Sequence, residues 1–284
     1  MPDPHRIAIV TDSISDIPPE FAESMDIRIV PLSLRFGQET FRDRIDLSTD
    51  DLIERLDHDD SLPATSSPSR RSFEILFREL AQQRDAIIAI LSSSRLSATV
   101  KAARLAAQSL QDDVQIEIID SLNVSAALGL QVLHACDLRA AGVPADEIAE
   151  RLRTEAPLNH LIFVVETLDH LRRNGRVGRA SNILGALLQL KPILRIDEGQ
   201  VIPFERARTH ARALDVLIEF VESLPAVEEI VVVYDTTPDD VEALLPRLEE
   251  VAPDALIRST QFGPALAAHI GPGVVGLAVR ERPV

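Results

Sequence analysis

The stretch that most limits what this chain can become is residues 87–110. Ile87-Ile88-Ala89-Ile90-Leu91 is a short apolar run, with the length and composition of a buried parallel strand. After it, Leu96, Val100, Ala103, Ala107 and Leu110 recur at spacings of four, three, four and three, the pattern of one helical face. Between strand and helix lie Ser92, Ser93, Ser94, Ser97 and Thr99, five hydroxyls within eight residues. A loop of this kind feeding a helix start gathers unpaired backbone N–H groups, hydroxyl donors and the positive end of the helix dipole. That set suits a phosphate or a carboxylate. The same residues also fit a plain serine cap with solvated neighbours, and the stretch alone leaves both readings open.

The pattern recurs along the chain. Residues 6–10 read as a strand running into Thr11-Asp12-Ser13, and Pro18-Pro19 opens a short helix. Residues 27–34 read as a second strand, and Ser48-Thr49-Asp50-Asp51 as a helix start. Pro63-Ala64-Thr65-Ser66-Ser67-Pro68-Ser69 is a second hydroxyl-rich loop before a helix carrying Phe73, Leu76, Phe77 and Leu80. A strand over 114–119 ends in Asp120-Ser121 and precedes a helix over 124–140. Strands alternating with helices, with polar loops at strand ends, predict an α/β fold whose ligands collect at the carboxyl edge of a parallel sheet. Pro157 marks the expected boundary between a Rossmann-like parallel α/β domain (1–157) and a smaller α/β domain (158–284).

In the second part, residues 161–165 read as a strand. Arg172, Arg173, Arg176 and Arg179 then bring four arginines into eight residues together with Gly175 and Gly178, which reads as a defined basic loop or as a charged helix end. Ile183, Leu184, Leu187 and Leu188 predict an apolar helix stopped by Lys191-Pro192, followed by a strand over 193–196. Asp197-Glu198-Gly199-Gln200 predicts a hairpin turn, so pairing becomes antiparallel. Further strands are expected over 229–234, 255–258 and 274–279.

Composition narrows the function classes. The net charge of −16 argues against general affinity for nucleic acid or an anionic membrane. With no Trp, one Tyr and nine Phe, the core must be largely aliphatic. The solitary Cys136 excludes an internal disulfide and a cysteine metal cluster. No apolar run approaches the ~18 residues of a membrane helix, and residues 1–10 lack a signal-peptide core. The expectation is a soluble, cytoplasmic protein.

No HExxH, GxSxG, GxGxxG or Walker A sequence is present. The seven histidines are scattered, and the acids lack metal spacing. A Ser97–His269–Asp12 triad is compatible with the sequence but has no spacing to support it. The recurrent chemistry is neutral hydroxyls with a few cations and one late histidine, a set that donates to a carboxylate without adding a second full charge. It fits binding better than reaction.

In order, Thr11-Asp12-Ser13, Ser15-Asp16-Ile17-Pro18, Val30-Pro31-Leu32, Thr65-Ser66-Ser67-Pro68-Ser69, Leu96-Ser97-Ala98-Thr99, Asp120-Ser121, Asn174-Gly175-Arg176, Leu190-Lys191-Pro192, Arg208 and His269-Ile270-Gly271-Pro272-Gly273 resemble the DegV (FakB-type) family of bacterial fatty-acid-binding proteins. The resemblance implies a tunnel between the two domains holding a long-chain fatty acid such as palmitate or oleate. It places the carboxylate at Thr65, Ser97 and His269, with Ser66 and Thr99 alongside. Arg176 and Arg208 fall at the mouth or a docking face, and Thr11, Asp12, Ser13, Asp120 and Ser121 in supporting loops. It further implies presentation of the carboxylate to a separate ATP-dependent fatty acid kinase, delivery of the acyl phosphate to a downstream acyltransferase for phospholipid synthesis, and transient membrane contact. No catalytic residue, metal or cofactor is implied. The competing reading is a stand-alone enzyme acting on a small phosphorylated or carboxylated metabolite. Two positions depart from the family pattern: Ala98 stands in LSAT where the family has glycine, and Asn174 in NGR where it has glycine. Ala98 tolerates no left-handed backbone, which predicts a slightly reshaped pocket, whereas Asn174 can take positive φ.

Overall fold

The strand at residues 86–91 forms the middle of a parallel sheet, because every one of its side chains is apolar and both sheet faces are covered. In a computed structural model describing residues 6–58, 62–110, 112–180 and 190–283, the first half runs β1 (Ile7–Asp12), α1 (Pro19–Ser24), β2 (Ile27–Val30), β3 (Ser33–Phe36), β4 (Glu39–Arg42), α2 (Thr49–His58), β5 (Ala64–Ser66), α3 (Arg70–Ala81), β6 (Ala86–Leu91), α4 (Thr99–Ala107), β7 (Gln115–Asp120), α5 (Ser125–Ala140) and α6 (Ala145–Thr154). Four of these strands pair in the order β2-β1-β6-β7, all parallel. Ile9, Ile88 and Ile90 face α5 and α6, while Val10, Ile87, Ala89 and Leu91 face Phe73 and Phe77 of α3 and Val100 of α4. Burial on both faces is the reason the two inner strands, β1 and β6, read as apolar runs rather than alternating ones.

The second half runs β8 (Asn159–Val164), α7 (Asp169–Arg173), β9 (Lys191–Asp197), β10 (Gln200–Ala207), α8 (His210–Glu222), β11 (Val227–Tyr234), α9 (Pro238–Val251), β12 (Leu256–Gln261), α10 (Pro264–Ile270) and β13 (Val275–Glu281). Its sheet has the order β10-β9-β8-β13-β11-β12 and is antiparallel except for the parallel β11–β12 pair. Alternation along the strands separates its two faces. Ile162, Val164, Val232 and Leu277 pack under α8 and α9, and Leu161, Phe163, Leu194, Ile196 and Val231 turn toward the first half. The expected α/β architecture, parallel in the first part and mixed in the second, is what the chain adopts.

Several local readings change. Residues 27–34 are not one strand: the ladder to β1 ends at Val30, and Ser33 begins a separate antiparallel sheet, β4-β3-β5. Pro31 has no N–H to continue a ladder, and the Leu32 N–H goes instead to Ser13 Oγ at 3.0 Å. Part of the loop read at 63–69 is β5, which pairs Thr65 with Leu34. The helix after β6 begins at Thr99, so Leu96 belongs to the preceding turn. Lys191 and Pro192 open β9 rather than ending a helix; the helix predicted around Ile183–Leu188 lies outside the described residues.

Two close approaches depend on glycine. Gly129 lets α5 lie against the turn after β1, where an added Cβ would stand 2.6 Å from the Ser15 carbonyl oxygen. In the β9–β10 turn, Glu198 and Gly199 both have positive φ (46° and 78°), the signature of a two-residue hairpin loop. Ser93 Oγ donates to the Gly199 carbonyl at 2.8 Å, and a Cβ there would meet that hydroxyl at 2.4 Å. Gly199→Ala is therefore expected to cost about 2 kcal/mol, from the left-handed backbone and the displaced Ser93. Urea unfolding checks this; an unchanged midpoint would rule out the tether.

Candidate ligand-binding site

The inner face of the mixed sheet, the β4-β3-β5 sheet, α10 and the loops after β1, β6 and α7 enclose a cleft. Its empty space is about 740 Å³ counting the open mouth, within the range of small-molecule sites. Most of its wall is apolar, including Ile14, Leu32, Val124, Phe163, Ile196, Val201, Phe262 and Leu266. Polar groups on the wall are Thr65, Ser67, Ser92, Ser97, Arg176 and His269.

Thr65 Oγ1 and His269 Nε2 lie 2.8 Å apart. Burial, with Arg176 adding to it, pushes the imidazole down to about 4, so His269 is neutral at physiological pH. Ser97 Oγ lies 3.0 Å from Ser67 Oγ and 2.7 Å from Thr99 Oγ1, and the Ala98 N–H donates to Ser67 Oγ at 3.2 Å. Arg176 is held by its own donations, Nη1 to the Asn174 carbonyl (2.7 Å) and Nε to the Leu96 carbonyl (3.4 Å). Among the described residues no carboxylate pairs with it. A cation without a counter-ion beside a neutral imidazole and a row of hydroxyls is a place for one anionic group.

Of the residues predicted to hold a carboxylate, Thr65, Ser97 and His269 stand together on this wall. Ser66 does not. In an antiparallel pair, opposite residues share a face, so Thr65 follows buried Leu34 inward while Ser66 pairs with Ser33 and is exposed. Ser67 takes the place expected of Ser66. Thr99 is fully buried behind Ser97, at the start of α4. Arg176 lines the mouth, whereas Arg208 is exposed after β10 and is not on the wall.

Of the loop residues read as supporting, Asp12, Ser13, Asp120 and Ser121 are structural ties. Asp12 accepts from the Ile14 N–H (3.0 Å), the Ser92 N–H (2.9 Å) and Ser92 Oγ (2.8 Å), joining the ends of β1 and β6. Its burial drives the carboxyl up to about 6. Ser13 receives the Leu32 N–H, and Thr11 is buried. Asp120 accepts from the Ser94 and Leu122 N–H groups, and Ser121 Oγ donates to the Asn123 carbonyl. A Ser97–His269–Asp12 triad is not assembled, since each of the three bonds elsewhere.

At the two departures, Ala98 has φ −84°, a backbone alanine adopts without strain. Asn174 has φ −87° rather than a positive value, which falls on Gly175 (69°) instead. The Asn174 amide donates to the His170 and Ala268 carbonyls, a link that glycine could not make. Most of the wall hydrophobes, such as Ile14, Val124, Phe163 and Phe262, had no motif to single them out, and neither had Asp43 and Arg44. Among the described residues no helix is long and apolar enough to cross a membrane, and no cluster of three or more acids, histidines or cysteines could hold a metal.

The comparisons with known proteins agree over almost the whole chain. A curated DegV domain-containing protein from Deinococcus radiodurans is 34% identical over 277 residues, covering 96% of this chain and 98% of its own. The structure of a DegV family protein from Thermus thermophilus, described for its fatty acid binding, superposes with a TM-score of 0.88 at 30% identity, covering 98% of this chain and 100% of that one. DegV from Bacillus subtilis, described as a fatty acid binding protein, superposes with a TM-score of 0.89 at 29% identity and the same coverage. The family model described as "Uncharacterised protein, DegV family" matches residues 6–282, and the chain belongs to that family.

Proposed function

We propose that this protein is a carrier for a long-chain fatty acid such as palmitate or oleate. The acyl chain lies along the apolar wall, and the carboxylate meets Thr65, Ser97, His269 and Arg176. The observation that carries this reading is the single polar corner of an otherwise apolar cleft, with a neutral His269 and an Arg176 that has no carboxylate partner among the described residues. A sixteen-carbon acid buries about fourteen methylenes, so roughly 11 kcal/mol gross opposes its return to water. The charged head then needs several hydrogen bonds to offset desolvation, and the hydroxyls supply them. The likeness to fatty-acid-binding relatives supports the same reading.

In this role the protein performs no phosphoryl transfer. It presents the carboxylate to a separate ATP-dependent kinase, retains the acyl phosphate and hands it to an acyltransferase of phospholipid synthesis. Arg176 stands at the mouth and Arg208 on a docking face, and the carrier operates in the cytoplasm with transient membrane contact. Native mass spectrometry of the purified protein, followed by organic extraction, is expected to release about one fatty acid per chain. With ATP alone the acid stays unmodified; with the kinase it becomes hydroxylamine-reactive. A protein that is empty and also refuses added palmitate would sink the carrier reading in favour of an enzyme on a small carboxylated or phosphorylated metabolite.

A further inference from the structure

Helix α10 supplies three side chains to the cleft, Leu266, His269 and Ile270, spaced to share one helical face. It has only seven residues and no side-chain cap of its own, since Gly263 occupies the N-cap and Pro264 the first turn. Such a helix is too short to hold its own position. Its free N–H groups are taken by two buried acids from the other end of the chain. The Gly263 N–H donates to Asp16 Oδ1 at 2.8 Å and the Ala265 N–H to Asp43 Oδ1 at 2.8 Å. Arg44 ties the same corner, donating to Asp16 Oδ1 at 2.9 Å and to the Gln261 carbonyl. Thr49 Oγ1 donates to the Phe262 carbonyl, and Ser125 Oγ donates to Asp16 Oδ2 at 2.7 Å. Near the far end, the Asn174 amide holds the Ala268 carbonyl at 3.0 Å.

We propose that Asp43, with Asp16, is a positioning residue for α10: by capping this helix from the parallel half, it sets where His269 and its two apolar neighbours stand in the cleft. Neither acid is on the wall of that cleft. Their effect on the ligand passes through α10. Asp43 is 1% exposed, and through Oδ1 it accepts the Ala265 N–H, with Ser13 and Arg44 as its other polar neighbours. The consequence for ligand retention rests on the carrier reading; the consequence for His269 does not.

The test uses the purified full chain with isotopically labelled histidine. It follows the His269 titration by NMR in the absence of ligand and palmitate retention through gel filtration. Asp43→Leu, which cannot accept the Ala265 N–H, is expected to let water reach His269 and raise its titration from about 4 by about one unit. Palmitate retention is expected to fall about tenfold. Asp43→Asn keeps an oxygen for Ala265 and is expected to restore both. Should Asp43→Leu fail to fold, Thr49→Val removes the adjoining tie to Phe262 and is expected to move both readouts the same way. An unmoved His269 titration in the folded variants, or an asparagine as damaging as leucine, overturns the proposal. A shifted His269 in a protein that never binds palmitate supports the positioning role and refutes the carrier reading.

Discussion

Alanine at both Thr65 and Ser97 is expected to lower retention of a long-chain acid at least a hundredfold while leaving the fold intact. Both side chains are half-buried on the cleft wall, and neither supports a backbone ladder through its hydroxyl. Among the described residues Thr65 Oγ1 meets only His269 Nε2, and Ser97 Oγ meets Ser67, Thr99 and the Thr99 N–H. In the complex these hydroxyls turn to the carboxylate, and a hydrogen bond to a charged group contributes about 1.5–3 kcal/mol. Losing two such bonds therefore corresponds to about two orders of magnitude or more in affinity. The apolar wall is untouched, so the double variant should still take up a fatty alcohol of the same length as wild type does. Measured palmitate dissociation checks the assignment. Full retention in the double variant would move the carboxylate away from this corner.

Asp12→Ala is expected to destabilise the protein by about 3 kcal/mol at neutral pH, and by about 1 kcal/mol more at pH 5 than at pH 8. The first part follows from three donors (the Ile14 N–H, the Ser92 N–H and Ser92 Oγ) left without their acceptor in a fully buried place. The second part follows from the direction of the Asp12 shift. Burial raises the folded carboxyl from 3.8 to about 6, so the neutral acid is favoured in the fold. Its contribution is fully present below the unfolded value and is lost as pH rises through about 6. Alanine has no such dependence, so the gap between wild type and variant narrows as pH rises. Urea unfolding at pH 5, 6.5 and 8 measures it; a gap that widens with pH would mean Asp12 is held as a stabilised anion.

Much of the site could be read from the chain, because its parts are local. A hydroxyl loop after an apolar strand has a physical meaning within one window, and Ser97 was picked out that way together with the family resemblance, whereas the role expected of His269 came from the resemblance. Thr65 came with Ser66, and here a window of sequence was insufficient. Which hydroxyl points inward depends on the register of β5 against β3, and that register turns Thr65 and Ser67 to the cleft and Ser66 to solvent. Arg208 was expected at the mouth or on a docking face, and the fold leaves it exposed after β10 and off the cleft wall. A cation after a hairpin looks alike whether its strand ends over the cleft or on open surface.

What the sequence by itself determined is the kind of element at each place and the chemistry at its end. Residues 87–91 read as a buried parallel strand and residues 197–200 as a turn, because composition over a few residues carries both signals. Only the tertiary structure decided which elements meet. The cleft wall joins Leu32 to Phe262 and Ile14 to Leu266, and the caps of α10 come from Asp16 and Asp43, more than two hundred residues earlier. Such pairings carry no local signal, since a buried acid and an uncapped helix start look ordinary until the fold brings the acceptor within reach of the N–H groups that need it.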